Sequence, residues 1–202
     1  MHRGSTYVSE LEEQLRNVSA VTHKVWFDVE VGGKPQRVTF GLFGYAAPRA
    51  VENFVAMSEC SKGEKYCYRG APFHRVVKDF LVQGGDVGSG DGKGRVNIYD
   101  RPYADDVFAL GLMHDRAGLL ISANTGPDSN GGQFVVMMAP APQLNGRHVV
   151  MGKVLEGLSV IEAISNVELR AKTEMPQVAV EIVGSGTLQV DKPGPKKSGW
   201  FW

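Results

Sequence analysis

The stretch FHRVVKDFLVQGGD, running from Phe73 to Asp86, decides how this chain is read. Phe73, Val76, Val77, Phe80, Leu81 and Val82 are the residues of a mostly buried strand pair or barrel wall. Yet His74, Arg75 and Gln83 stand among them. A guanidinium is costly to bury without a partner. Arg75 taken alone reads as a snorkelling or ion-paired residue, and Phe80 alone as plain core. The question is whether the surrounding chain gives the arginine a task.

Outward from this stretch the pattern is strand-rich. KVWFDVEV and QRVTFGLF, separated by GGKP, read as a β-hairpin. APRAVENFVAMSEC reads as a helix with Pro48 in its first turn and Val51, Phe54 and Val55 toward the core. Short strands then recur between glycine-rich loops: GLLISA, QFVVMM and HVVMGKVLE. LSVIEAISNV reads as a second helix, and QVAVEIVGSGTLQV as the last strands. Many short strands with two core-sized helices point to a closed β-barrel or a sandwich with helical lids. Three segments follow: an extension over 1–22, a main domain over 23–190 and a tail over 191–202. In the extension, SELEEQLRNVS reads as a short amphipathic helix capped by Ser9, with Glu12 completing a capping box. In the tail, KPGPKK reads as disordered and WFW either as exposed aromatics that fit a partner or membrane-surface contact or as an inert end.

The chain has 202 residues, enough for one ordinary domain with a full core. Lys+Arg and Asp+Glu are both 22, so the net charge is zero, and nothing calls for nucleic acid as a partner. No apolar run reaches the length of a membrane span, and the first residues lack the apolar region of a secretory signal. Compartment stays open between cytoplasm and secretory pathway. Cys60 and Cys67 do not fit a CxxC pair; their spacing could close a small disulfide loop in an oxidising compartment, and the favoured expectation is two free thiols in a surface loop.

Several chemistries are poorly supported. GGDVGSGDGKG fails both GxGxxG and the Walker pattern, and no helix follows it. The histidines are scattered without metal-ligand spacing, and there is no GxSxG elbow. No metal and no cofactor are expected.

What remains is a set of polar residues on apolar strands. FHRVVKDFLVQGGD, SANTGPDSNGGQF and LNGRHVVMGKVLEG resemble the three signature blocks of the cyclophilins, the cyclosporin-binding peptidyl-prolyl isomerases. FGLFGYAAP and ENFVAMS are similar to the family's first helix and its approach. The resemblance covers residues 23–190 in order. It implies a mostly-β fold: a closed eight-stranded antiparallel barrel capped by two helices, with an N-terminal helical extension added.

The resemblance also implies the site. Arg75 matches the catalytic arginine, with Phe80 and Gln83 as the aromatic floor and the anchoring amide. His74, Leu81, Gly92, Ala123, Asn124, Gln133, Val135, Gln143, Leu144 and His148 match the substrate groove. Three positions depart: the family usually has Met at Leu81, Phe at Val135 and Trp at Gln143. The first two keep an apolar but wider proline pocket. The third removes a major contact for cyclosporin A, which implies reduced drug affinity. Two short insertions lie near SECSKGEKYC and LGLMHDRAG.

The implied partners are proline-containing peptides and protein clients of a monomer. The implied activity is rotation about X–Pro bonds. Its chemistry needs no nucleophile, only a donor that favours the twisted amide. Arg75 suits that task because it stays charged and presents a rigid fork. Two other functions compete with it. A catalytically weak scaffold that only binds proline peptides would use the same groove. A small-ligand barrel unrelated to proline would leave the three polar blocks without a role.

Overall fold

The computed structural model describes residues 17–190. The helix expected in SELEEQLRNVS lies almost wholly outside the described residues, and the WFW tail lies wholly outside them.

The expected hairpin is present. β1 (His23–Val31) and β2 (Gln36–Leu42) pair antiparallel from His23↔Leu42 to Val29↔Gln36. Period two puts Val25, Phe27 and Val29 on one fully buried face. Gly32 turns the chain at φ 60°, where a β-carbon is disfavoured.

The helix α1 (Pro48–Glu59) starts with proline in its first turn. Its free N-terminal amides find a cap far along the chain: the buried Asp106 carboxylate accepts Arg49 N–H at 3.3 Å and Ala50 N–H at 3.0 Å. Val51 and Phe54 are buried as expected. Val55 lies at the edge of the stripe, and Met57 takes the deeper position.

Cys60 caps α1 in the left-handed conformation, φ 56°. The chain then folds back through a single 3-10 turn (Glu64–Tyr66), and Tyr68 N–H donates to Met57 O at 3.0 Å. That reversal brings the Cα atoms of Cys60 and Cys67 to 4.5 Å, and the two residues form a disulfide instead of the expected free thiols.

The remaining strands are β3 (Arg75–Val77), β4 (Leu81–Gly84), β5 (Leu119–Ser122), β6 (Phe134–Met137), β7 (Val150–Glu156) and β8 (Val180–Leu188). The turn α2 (Val107–Leu110) precedes β5, and α3 (Leu158–Ser165) packs Val160, Ile161 and Ile164 into the core. All pairings are antiparallel, in the order β3-β4-β6-β5-β7-β2-β1-β8. The sheet curls into a half-barrel around one core.

Phe27, Phe54, Tyr68 and Phe134 meet at the centre of that core, with centroids 5.2–5.7 Å apart, and Phe73 packs on Phe134 at 5.7 Å. Such edge and tilted contacts add to the area each ring buries. This core stands behind β3, β4 and β6, the strands that carry the site. Among the described residues no named strand ladder joins β3 to β8. Their ends approach through the segment before β3: Gly70 N–H donates to Ile182 O at 2.7 Å, Phe73 N–H to Val180 O at 2.8 Å, and Ile182 N–H to Ala71 O at 3.1 Å.

Candidate active site

Strand register answers why an arginine stands in an apolar stretch. Val76, Val82, Val136 and Leu120 pair in one row across β3, β4, β6 and β5, and all four are fully buried in the core. The adjacent row is Arg75–Gln83–Val135–Ile121. Successive side chains point to opposite faces, so this row lies on the other face of the strands, where Arg75 and Gln83 are half-buried while Val135 and Ile121 are packed in. Val77, Leu81 and Met137 form the next row on that same face. One face is thus hydrocarbon throughout, while the other carries a guanidinium and an amide beside apolar residues.

A chain of hydrogen bonds fixes how the polar groups point. Gln133 Nε2 donates to Gly92 O at 3.0 Å and Gly94 O at 2.8 Å, which leaves its Oε1 to accept Gln83 Nε2 at 2.8 Å. Gln83 Oε1 therefore faces Arg75 and accepts its NH1 at 3.3 Å. Arg75 Nε donates to Glu174 Oε2 at 2.5 Å. The two backbone carbonyls settle both amide orientations, because a flipped Gln133 would aim oxygen at oxygen.

Those carbonyls belong to the glycine-rich loop, and the loop is built on Asp86. The buried carboxylate accepts Gly92 N–H at 2.6 Å, Gly94 N–H at 3.2 Å and the Ser89 hydroxyl at 2.7 Å. A buried charge requires such donors. The loop spends the Gly92 and Gly94 amides on its own aspartate, so these two do not point at an outside anion. Gly94 is required here, since a β-carbon would collide with Asp86 Oδ1.

The other candidates fall around this row. Phe80 closes the turn between β3 and β4: its N–H donates to Val77 O at 3.0 Å and its carbonyl accepts Met138 N–H at 2.8 Å. Ala123 N–H donates to Gln133 O at 3.0 Å, and Asn124 Nδ2 to Arg147 O at 2.8 Å. A 3-10 turn (Pro142–Leu144) carries exposed Gln143 and half-buried Leu144, whose carbonyl accepts His148 N–H at 3.3 Å.

A small polar pocket of about 70 Å³ is lined by Gln83, Gly92, Ala123, Asn124 and Gln133 among others. A larger depression of about 460 Å³ lies on the other side of Asn124, toward Leu110, Arg147 and His148. Phe80, Leu81, Val135 and Leu144 line neither of them. His74 is buried at 6% exposure, against Gly92, so it backs the loop and does not present its ring to solvent. Burial pushes the His74 and His148 imidazoles below the usual histidine range, so both are neutral at neutral pH.

The sequence reading missed Glu174, which lies 99 positions from Arg75 on the loop after α3. It also missed Arg95, whose NH1 donates to Thr125 Oγ1 at 3.1 Å on the rim of the small pocket. No spacing signal links either pair. Among the described residues no group of three or more His, Cys, Asp or Glu side chains could hold a metal ion, and no helix is long and apolar enough to cross a membrane.

Residues 26–187 match the family model described as cyclophilin type peptidyl-prolyl cis-trans isomerase/CLD. The chain is 38% identical over 187 residues to Peptidyl-prolyl cis-trans isomerase CYP21-1 of Arabidopsis thaliana, covering 90% of this chain and 82% of that protein. It is 41% identical over 169 residues to Peptidyl-prolyl cis-trans isomerase D of Eremothecium gossypii, covering 80% of this chain and 45% of that protein. It is 42% identical over 169 residues to the NK-tumor recognition protein of Mus musculus, again over 80% of this chain but 11% of that much longer protein.

Proposed function

The chain belongs to the cyclophilin-type peptidyl-prolyl cis-trans isomerases and is a prolyl isomerase; on that premise we propose that Arg75 is its catalytic group, with Gln83 and Phe80 completing the catalytic set. The observation that carries this is the row Arg75–Gln83–Val135, which sets a held, half-buried guanidinium two strands from an apolar side chain.

The amide barrier is about 18–20 kcal/mol because nitrogen shares its lone pair with the carbonyl. In the twisted state that pair localises on the prolyl nitrogen and can accept a hydrogen bond. Of the five N–H groups of the Arg75 guanidinium, one donates to Glu174 and one to Gln83. The other three remain for substrate. A donor used only by the twisted form lowers the barrier without tightening ground-state binding. Phe80, Leu81, Val135 and Leu144 hold the proline ring. Asn124, Ala123 and Gln133 bind the peptide backbone, with His74, Gly92, Gln143 and His148 shaping the groove around it.

Exchange NMR of cis–trans interconversion in an Ala-Pro-containing peptide tests this. Wild type accelerates exchange, and Arg75→Ala lowers kcat/KM by about three orders of magnitude, on the order of 4 kcal/mol. Peptide binding without faster exchange in the wild type refutes the catalytic assignment and leaves a proline-binding scaffold.

Proline-containing peptides and protein clients are the proposed substrates, and cyclosporin A a ligand of reduced affinity. Gln143 is exposed where the family's tryptophan would offer an aromatic face. Gln143→Trp then tightens cyclosporin binding by calorimetry, and an unchanged affinity refutes the point. The half-barrel is proposed to close through the segment before β3, an inference supported by the isolated Pro72↔Glu181 bridge.

A further inference from the structure

Arg75 is 44% exposed and Glu174 50%, yet the pair is tightly formed, with Arg75 Nε 2.5 Å from Glu174 Oε2. An exposed arginine otherwise samples many rotamers, and each one misplaces its donors. We propose that Glu174 is a positioning residue for the isomerase: it grips the guanidinium of Arg75 at Nε so that its remaining donors face the groove. This rests on Arg75 acting in the reaction as set out above.

Glu174 is itself tied down. Its carbonyl accepts Val76 N–H at 2.7 Å, next to Arg75 in β3. Its loop is closed by its own bonds: Thr173 N–H to Arg170 O at 3.0 Å, Arg170 N–H to Met175 O at 2.9 Å and Gln177 N–H to Glu168 O at 2.7 Å. The carboxylate therefore reaches Arg75 from a fixed platform. Gln83 Oε1 holds NH1 from β4. A guanidinium is planar and rigid, so two fixed acceptors at different nitrogens determine its plane. Both charges are half exposed, so solvent screens the Coulomb term and the geometry of the acceptor carries the effect.

The test compares wild type, Glu174→Ala, Glu174→Gln and Arg75→Ala by exchange NMR on the Ala-Pro-containing peptide. Glu174→Ala lowers kcat by about three- to fivefold, the size expected for one exposed pair, and leaves KM within about twofold. Glu174→Gln keeps a carbonyl acceptor at the same reach and recovers most of the loss. A second readout is the Arg75 Nε–H proton signal, identified by its disappearance in Arg75→Ala. It is downfield and protected in wild type and moves upfield in Glu174→Ala.

Unchanged or faster kcat in Glu174→Ala, a loss confined to KM, an unmoved Nε–H signal, or no recovery in Glu174→Gln each overturns the proposal. Fast wild-type exchange lost in Arg75→Ala but retained in Glu174→Ala sinks this inference alone. Equal rates in wild type and Arg75→Ala sink the assignment of Arg75 beneath it.

Discussion

Gln133→Glu replaces one nitrogen by oxygen in the chain of bonds that orders the site. The Nε2 group of Gln133 donates to Gly92 O and Gly94 O, and a carboxylate in its place aims negative oxygen at both carbonyls. Two neutral hydrogen bonds at about 1 kcal/mol each are lost, so stability falls by about 2 kcal/mol, with repulsion adding to it. Water reaches this half-buried residue, which keeps the loss near that figure.

The loss depends on pH. Two carbonyls facing the new carboxyl favour its neutral form, so its folded-state pKa rises above the unfolded value. Between those two values the native state binds more protons, and stability relative to wild type falls as pH rises through the raised pKa. At pH near 4 the protonated carboxyl donates to one carbonyl and the deficit shrinks. Urea denaturation of wild type and variant at pH 4.5 and 7.5 measures it, and taking the difference at each pH cancels groups common to both. An equal deficit at the two pH values, or none, refutes the reading of the Gln133 orientation. Catalysis separates the ends of the chain: Gln133→Glu still accepts from Gln83, whereas Gln133→Leu frees Gln83 to turn away from Arg75 and lowers kcat.

Acidification destabilises the wild type through His74, His114 and His148, whose imidazoles burial holds below their usual range. Their stabilisation is complete above the unfolded pKa near 6.5 and is lost as pH falls through the lower folded values, so urea midpoints drop from pH 7.5 to 5; a flat profile refutes it. Cys60→Ser opens the disulfide, whose sequence separation is 7, and costs about 2 kcal/mol of stability by denaturation in the absence of reductant. kcat is unaffected, because the bond lies beyond the end of α1, and a loss of activity at constant fold contradicts that. Asp106→Ala removes the acceptor for Arg49 and Ala50 amides and lowers stability by about 1–2 kcal/mol; hydrogen exchange at those two amides rises, and unchanged protection rules out the cap.

The sequence was legible where periodicity and burial coincide. The first hairpin, α1 and α3 read correctly because Val25, Phe27, Val29, Val51, Phe54 and Ile161 repeat at the strand or helix period. Arg75 and Gln83 stand out because polar groups interrupt apolar residues, whereas Gln133 is reached only through the family resemblance. The sequence leaves the disulfide open and favours free thiols, because the six residues between Cys60 and Cys67 give no sign of the reversal that brings the two together. The Asp106 cap was invisible for a similar reason: α1 has no side-chain cap of its own, and its acceptor lies 56 positions from Ala50.

By itself the sequence determined the family and the strand-rich fold, since motif order and alternation along a strand are written in the local chain whatever it pairs with. Tertiary structure decided which groups meet. Register set Arg75 beside Gln83 and Val135. The loop after α3 brought Glu174 to Nε, and Asp86 turned two carbonyls toward Gln133. Those contacts depend on chain reversals between distant segments, and local periodicity carries no information about distance through space.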